Sequence, residues 1–252
     1  MGKIIAVVNQ KGGVGKTTTA VNLAAALKEQ GSRVLVCDFD PQANATSGLG
    51  LDKRKLNHSS YSLLLGESTA AEAVVSTDYC DVIASTSDLA GAAVELIGVD
   101  HRETQLKEAL SGLRDSYDVI LIDCPPSLEM LTLNGLCAAD SILIPVQCEY
   151  FALEGLGKLL NTIKLVQNKI NPSLAIEGFL FTMFDGRLRL HNQVVEEVRS
   201  HFKDKVFNTI ISRNVRLSEA PSHGKPVILY DAVSSGTTNY MNLAEELVSK
   251  NI

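Results

Sequence analysis

Short apolar runs alternate along the chain with longer stretches that mix apolar and polar positions. The runs are rich in Val and Ile and occupy residues 4–8, 33–38, 81–85, 117–123, 140–146, 175–183, 206–212 and 226–230. Apolar runs of this length, separated by helical stretches, are typical of buried parallel strands. The pattern predicts one α/β domain over residues 1–252, with a mostly parallel twisted sheet of about seven to eight strands and helices on both faces.

The stretches between these runs predict the helices. The first spans about residues 17–30, with Leu23, Ala24 and Leu27 on one face and Gly31 in the position of a C-terminal cap. Further helices are expected near residues 103–114, 127–137, 153–169, 191–203 and 237–250. The carboxyl ends of parallel strands lie at one edge of a sheet, where α/β proteins bind their ligands. The polar residues at 9–17, 38–40 and 123–126 are therefore expected to converge.

Composition limits the partners and the compartment. The chain has a net charge of −6, so nucleic acid or anionic lipid would need a local basic patch. The five cysteines have no spacing typical of metal sites, and Cys37 and Cys124 lie inside apolar runs, so free thiols in a reducing cytoplasm are expected. Only five apolar residues follow Lys3, too few for a signal peptide or a membrane span.

A glycine-rich loop between the first strand and the first helix predicts a phosphate-binding site. Residues 10–17, QKGGVGKT, keep the end of the usual GxxxxGK[ST] pattern but have Gln10 where its first glycine belongs. Glycines let the backbone curl so that N–H groups point inward, and the helix N-terminus adds partial positive charge. Lys16 is expected to reach the β- and γ-phosphates and Thr17 to ligate Mg²⁺. The predicted nucleotide-binding residues here are Gly12, Gly13, Val14, Gly15, Lys16, Thr17 and Thr18.

Carboxylates end two other predicted strands. Asp38 and Asp40 point the same way from an extended chain, although such a pair taken alone is also typical of a solvated strand end. Asp123 ends the apolar run YDVILID in the manner of a Walker B segment, whose carboxylate holds Mg²⁺ directly or through water. Pro125 and Pro126 stiffen the following turn, which is a candidate γ-phosphate switch.

Four ordered motifs together resemble the ParA/Soj partition ATPases, within the larger deviant Walker A group that includes MinD. They are KGGVGKTT, DFDPQANATSGLG, VILIDCPPS and SRNVRLSEAPSHGKPV, and the resemblance runs from residue 3 to about residue 248. It implies a P-loop NTPase with ATP and Mg²⁺ as cofactors. Its segments would be a deviant Walker A motif at 10–18, switch I at 38–48, Walker B and switch II at 119–127, and an adenine-side loop at 212–221.

The resemblance also implies roles for single residues. Lys11 would be the signature lysine that crosses to the partner's phosphates in an ATP-bound homodimer, and Asp40 would help position the attacking water, with Asp38 supporting the site. The implied catalytic residues are Lys11, Lys16 and Asp40, the implied metal ligands Thr17, Asp40 and Asp123, and the adenine-side residues Arg213 and Asn214. Ser212 departs from the family, which commonly has proline there.

The residues alone leave the role of Lys11 open. Lys16 already serves the phosphates, and Lys11 lies five residues earlier, outside the turn that wraps them. A charge supplied by a neighbouring subunit can stabilise phosphoryl transfer as an arginine finger does. A lysine that is merely solvated fits the spacing equally well.

A basic segment near the C-terminus is the candidate DNA-binding region. Residues 187–216 carry seven Lys or Arg and three acids, a net charge of +4 on an acidic protein. The resemblance implies non-specific contacts to the phosphates of double-stranded DNA, although an ordinary solvated charged face has the same composition. The candidates are Arg187, Arg189, Arg199, Lys203 and Arg216, with Lys225 as a further possibility.

The resemblance favours an ATP-dependent chromosome or plasmid partition ATPase, cytoplasmic and nucleoid-associated, whose hydrolysis a ParB-like partner stimulates.

The main alternative is a MinD-like membrane-associated ATPase, but the tail has Glu245 and Glu246 against Lys250 and predicts a packing helix. An iron–sulfur protein resembling the nitrogenase iron protein would need Cys137 and Cys148 as ligands without that family's glycine-rich cysteine loops. A metabolic ATP-dependent ligase would need a substrate pocket lined by a further set of polar residues. A repressor-type partition protein would need a DNA-binding extension before Lys3.

Overall fold

The computed structural model of the chain describes residues 2–149 and 152–250. The strands in this part of the chain are Lys3–Val7 (β1), Val34–Asp38 (β2), Val74–Ser76 (β3), Asp81–Ile83 (β4), Val119–Asp123 (β5), Ser141–Gln147 (β6) and Ala175–Thr182 (β7). The helices are Lys16–Glu29 (α1), Asn44–Gly48 (α2), Ser60–Leu64 (α3), Ala70–Ala73 (α4), Leu89–Glu95 (α5), Gln105–Leu110 (α6), Met130–Ala138 (α7), Ala152–Lys169 (α8), Arg189–Phe202 (α9), Val215–Glu219 (α10), Val227–Tyr230 (α11) and Ser235–Ser249 (α12).

The strands form one seven-stranded sheet in the order β3-β4-β2-β5-β1-β6-β7. Every neighbouring pair is parallel except β3 and β4, which are antiparallel at one edge. The central strands are buried on both faces, as continuous apolar runs predict for parallel sheets covered by helices. The predicted α/β class and the mostly parallel sheet are confirmed.

Alternate residues of the central strands enter two apolar cores, one on each face of the sheet. In β1, Ile4 and Ala6 pack with α3 to α9, whereas Ile5 and Val7 pack with α1, α2 and α10 to α12. This division follows the two-residue period of a strand. The predicted helices are present within a few residues of their expected ends, and Gly31 has a φ of +93° just beyond α1, the left-handed conformation of a C-terminal glycine cap.

Two predicted strands are wrong. Residues 206–212 run beside β7 but make only isolated bridges, Val206 with Phe179 of β7 and Ser212 with Phe184 beyond its end. Residues 226–230 contain the short helix α11, whose first N–H, that of Val227, donates to the side chain of Asn22. Both runs are short and apolar, and periodicity alone does not separate a strand from another buried segment of that length. The edge strand β3, with only three residues, is likewise not predicted by periodicity.

Candidate active site

The carboxyl ends of three adjacent strands bring the predicted polar segments together. Asp123 at the end of β5 is in register with Val7 of β1 on one side and with Asp38 of β2 on the other. The loop after β1, the Asp38–Asp40 segment and Asp123 therefore lie at one edge of the sheet. The predicted convergence is confirmed, and it follows from the parallel strand order rather than from closeness in sequence.

The glycine-rich loop curls over this edge and leads directly into α1. Gly13 and Gly15 have φ values of +73° and +89°, which side chains with a Cβ atom adopt only at a cost. Gly15 is the N-cap of α1, so the unpaired N–H groups of the first helical turn face the space above the loop. Val14 is buried, and its carbonyl accepts a hydrogen bond of 2.8 Å from the Thr182 hydroxyl at the end of β7.

A cavity of about 560 Å³ lies over this loop. Its predicted members are Gly12, Gly13, Gly15, Lys16, Thr17, Thr18, Asp40, Pro126, Arg213 and Asn214. Gln42 and Asn44 belong to the predicted switch I, and Ser212, Leu217, Ser218 and Pro221 belong to the predicted adenine-side loop. Sequence reasoning missed the rest of the wall, namely Thr182, Met183, Ile211 and Tyr240. These residues come from distant segments and carry no motif of their own, so only their position beside the loop reveals them.

Lys16 lies inside the site. Its side chain is largely buried, and its ammonium donates a hydrogen bond of 3.0 Å to the backbone carbonyl of Lys11. Burial lowers the pKa of Lys16, and the nearby charges of Asp123 and Asp40 oppose that shift. A polyanion in the cavity would add negative charge beside this ammonium.

Lys11 faces away from the cavity and forms an ion pair with Glu149, which follows β6. Its backbone N–H donates a hydrogen bond of 3.0 Å to the side-chain oxygen of Asn9. The amide of Asn9 in turn donates to the carbonyl of Pro145 in β6, at 2.6 Å. The two lysines are therefore in different environments. Lys11 is half-exposed and paired with a carboxylate, whereas Lys16 is buried in the phosphate loop.

The two carboxylates of the second segment have different partners. Asp38 is fully buried and accepts hydrogen bonds of 2.7 Å from both the N–H and the hydroxyl of Thr46 in α2. Asp40 lines the cavity and accepts a hydrogen bond of 2.9 Å from the N–H of Gln42. Burial raises the pKa of Asp38 to about 6, while the hydrogen bonds from Thr46 oppose the shift. Asp38 thus holds α2 through Thr46, whereas Asp40 faces the cavity over the phosphate loop.

Asp123 is a buried carboxylate without a hydrogen-bond partner on either side-chain oxygen. Burial raises its pKa well above the usual range, Asp38 adds to the shift, and the neighbouring Thr17 hydroxyl opposes it. Unpaired buried carboxylate oxygens beside a hydroxyl are the hard donor set that Mg²⁺ takes, so the residues present fit this ion. Among residues 2–149 and 152–250, no group of three His, Cys, Asp or Glu is arranged to hold a metal ion.

The other wall of the cavity is formed by the segment after residue 210 and by α12. The N–H of Ser212 donates a hydrogen bond of 2.9 Å to the side-chain oxygen of Asn239, and the N–H of Arg213 donates to the carbonyl of Phe184 at 3.0 Å. Asn214 caps α10 by accepting from the N–H of Arg216. Proline at position 212 could not donate the first bond, so this family departure has a structural role here.

The candidate DNA-binding residues are all exposed, but they are not equally available. Arg187 makes two hydrogen bonds to Asp185, of 2.9 and 2.7 Å. Arg216 is paired with both Glu219 and Asp231, at 2.8 and 3.0 Å. Arg189 and Arg199 lie on α9, and Lys203 follows its end. Two of the five candidates thus have an acidic partner within the same subunit.

The cysteines and the helices of the described residues bear on the iron–sulfur and membrane-associated alternatives. All five cysteines are free and buried, which confirms the expected free thiols. Burial raises the pKa of the Cys137 thiol to about 11 and that of the Cys148 thiol to about 12. The helices in the described part of the chain include none with the length and apolarity to cross a membrane.

Comparisons with known proteins agree with this geometry. A protein-family model described as an AAA domain matches residues 2–176. The chain is 55% identical over 251 residues to the sporulation initiation inhibitor protein Soj of Bacillus subtilis, covering 99% of each chain. It is 54% identical to the chromosome partitioning protein ParA of Myxococcus xanthus, covering 99% of this chain and 89% of that protein.

Solved structures share the fold over nearly the whole chain. One is described as cobyrinic acid a,c-diamide synthase from Mycobacterium smegmatis with a bound ATP analog and magnesium. Its TM-score is 0.87 at 40% sequence identity, covering 98% of this chain and 95% of that one.

Proposed function

The chain belongs to the ParA/Soj family of partitioning ATPases, and we propose that it works as an ATP-dependent switch in DNA partitioning. ATP and Mg²⁺ are its cofactors, and it hydrolyses ATP to ADP and phosphate. In the proposed cycle, ATP closes two subunits into a homodimer, the dimer binds DNA without sequence preference, and hydrolysis releases it. A ParB-like protein stimulates the hydrolysis, and the ATPase works in the cytoplasm on the nucleoid.

The phosphate loop and its carboxylates have distinct proposed roles. The N–H groups of residues 12–18 cradle the phosphates, and Lys16 exchanges its bond to the Lys11 carbonyl for phosphate oxygens. Thr17 and Asp123 would hold Mg²⁺, directly or through water, because Asp123 has two buried oxygens to satisfy. Held there, the ion would neutralise charge on the phosphates. Asp40 faces the same space and orients the attacking water as well as helping to hold the metal.

The proposed nucleotide pocket extends from the phosphate loop to the segment around residue 213. Arg213 and Asn214 line that end of the cavity together with the apolar side chains of Leu217 and Pro221. A flat base can pack on apolar side chains while polar groups bond its edge. The proposed adenine-side loop therefore covers residues 212–221, with Tyr240 of α12 as an additional wall.

DNA retention is proposed for the exposed basic residues on and beside α9 and for Arg216 of α10. Arg189, Arg199 and Lys203 would contact phosphates without reading sequence, since lysine and arginine contacts to the backbone carry no base information. Arg187 and Arg216 would contribute after exchanging their acidic partners for phosphate. The ion pairs of Arg187 and Arg216 are the reason for expecting smaller contributions from these two residues.

The observation that carries the proposal is the meeting of the phosphate loop, Asp40 and the unpaired Asp123 at one sheet edge. That arrangement supports phosphoryl transfer, and the identity to Soj and ParA supports partitioning. A metabolic synthase is the second reading, because the similar Mycobacterium smegmatis structure is described as one. Its 40% identity is lower than the 55% shared with Soj.

DNA co-sedimentation with and without ATP·Mg²⁺, run beside a liposome arm, tests these readings together. We expect ATP-dependent pelleting with DNA and none with liposomes. Liposome pelleting would support the MinD-like alternative, and pelleting with neither would support the metabolic one. Addition of a ParB-like protein should shorten the DNA-bound state by stimulating hydrolysis.

The Asp40→Ala variant tests the catalytic assignment. It should bind ATP as the wild type does but hydrolyse it slowly, since nothing orients the water, and should accumulate as a DNA-bound dimer. Asp100→Ala, which removes an exposed carboxylate outside the cavity, is the matched control and should behave as wild type. An Asp40→Ala protein that stays monomeric in ATP and does not bind DNA would contradict the switch assignment.

A further inference from the structure

Lys11 is held at three points within its own subunit. Its N–H donates to Asn9, its carbonyl accepts from Lys16, and its ammonium is paired with Glu149. The first two contacts hold the backbone, and the third orients the side chain. The ammonium is therefore directed to a carboxylate of the same chain.

The strand order explains why Glu149 can reach Lys11. Strands β1 and β6 are parallel neighbours, with Val7 in register with Leu143, so the loops that follow them leave the same sheet edge. Lys11 follows β1 and Glu149 follows β6, although 138 positions separate them. The bond from Asn9 to the Pro145 carbonyl ties the loop after β1 to strand β6.

The pair is accessible and therefore easily exchanged. The side chains of Lys11 and Glu149 are 43% and 44% exposed, so water and salt weaken their attraction. A triphosphate carries several negative charges and would compete well against one half-exposed carboxylate. The pair is strong enough to bias the side chain of Lys11 but too weak to lock it.

We propose that Glu149 is a positioning residue that keeps Lys11 turned toward its own subunit until the phosphates of a second subunit replace it. This inference rests on the proposed function, because it assigns the resting contact of the lysine that would cross the dimer. Phosphate binding to Lys16 removes that ammonium from the Lys11 carbonyl, so nucleotide in the same subunit releases one of the three contacts. Glu149 then sets how readily its own contact with the Lys11 ammonium is exchanged on closure.

Dimerisation with a non-hydrolysable ATP analogue and Mg²⁺, followed by sedimentation velocity, tests the proposal. Glu149→Gln keeps the shape of the side chain and removes its charge. It should lower the protein concentration at half-dimerisation by about two- to fivefold, the range expected for a half-exposed ion pair. The difference should shrink as the salt concentration rises, because salt already weakens the wild-type pair.

Glu154→Gln is the matched control. Glu154 lies nearby in sequence and is also paired, with Lys158 at 3.0 Å, but on the exposed side of α8. It should leave the dimerisation midpoint and its salt dependence unchanged. A Glu149→Gln protein that dimerises at the wild-type concentration or higher, while retaining the wild-type melting temperature, overturns the proposal.

A second readout examines the nucleotide-free subunit and does not depend on dimerisation. Brief labelling with an amine-reactive ester, quantified at Lys11 by mass spectrometry, should be faster in Glu149→Gln than in wild type and unchanged in Glu154→Gln. Equal labelling would overturn the proposed contact. If labelling differs but the wild type stays monomeric with the analogue, the proposed dimer function fails, and the positioning role fails with it. If the wild type dimerises normally but labelling and midpoint are unchanged, only the role of Glu149 fails.

Discussion

The hydroxyl of Thr182 donates a hydrogen bond of 2.8 Å to the carbonyl of Val14, across 168 positions of sequence. Thr182 is the last residue of β7, and both residues are buried. An ideal Cβ on Gly15 would lie 3.7 Å from the Thr182 methyl group, so the threonine also packs against the turn of the loop. The shape of the phosphate loop thus depends on a strand at the far side of the nucleotide pocket.

Thr182→Val should weaken nucleotide binding while leaving the fold intact. Valine keeps the shape but leaves the buried Val14 carbonyl without this donor, which costs about 1–3 kcal/mol. We expect a lower melting temperature and a loss of ATP affinity of about fivefold, since 1 kcal/mol corresponds to roughly that factor. Calorimetry measures both. Thr162→Val, which removes a hydroxyl bonded at 3.4 Å on α8, is the control and should change neither.

Ser212→Pro should destabilise the protein. The substitution removes the N–H that donates to Asn239 and leaves that side-chain oxygen unpaired, at a cost of about 1–2 kcal/mol. Urea unfolding followed by circular dichroism measures the effect. Ser212→Ala keeps the N–H and is the control. Equal stability of the proline and alanine variants would show that the Asn239 bond contributes nothing.

Arg189→Glu should weaken DNA retention at low salt by about tenfold or more, because it replaces a phosphate contact with a repulsive charge. ATP-dependent dimerisation should remain. Arg187→Glu should have a smaller effect, since Arg187 is already neutralised by Asp185. Lys164→Glu makes the same charge change at an exposed position of α8 and is the control. Binding measured at several salt concentrations should show a shallower slope for Arg189→Glu than for the wild type or Lys164→Glu. An unchanged affinity and slope for Arg189→Glu would mean that the DNA contacts lie elsewhere.

Asp38 should make the stability of the nucleotide-free protein depend on acid pH. Burial raises its pKa from 3.8 to about 6, so between these values the native state binds a proton more tightly than the unfolded chain. The free energy of unfolding contributed by Asp38 therefore falls as pH rises through this range. Buried Asp123 acts in the same direction. In Mg²⁺-free urea unfolding, Asp38→Asn should gain stability relative to wild type from pH 4 to pH 7, and a constant difference would exclude this titration.

The sequence by itself determined the sheet class, the central strands and the phosphate loop. Continuous apolar runs predict buried parallel strands, and a glycine-rich loop before a helix predicts an anion site, since both patterns are local. The carboxylates Asp40 and Asp123 could also be placed, because Asp123 ends such a run and Asp40 lies two residues beyond one. The apolar runs at 206–212 and 226–230 could not be assigned correctly, since their neighbours in space decide between strand, bridge and helix.

Only the tertiary structure decided which distant residues complete the site. The contacts of Thr182 with Val14 and of Glu149 with Lys11 join segments more than a hundred positions apart. No local pattern encodes them, because they depend on the order of β1, β6 and β7 in the sheet. Spacing left Lys11 either functional or merely solvated. The fold places it beside a carboxylate on the neighbouring loop, because parallel neighbouring strands release their chains at the same edge.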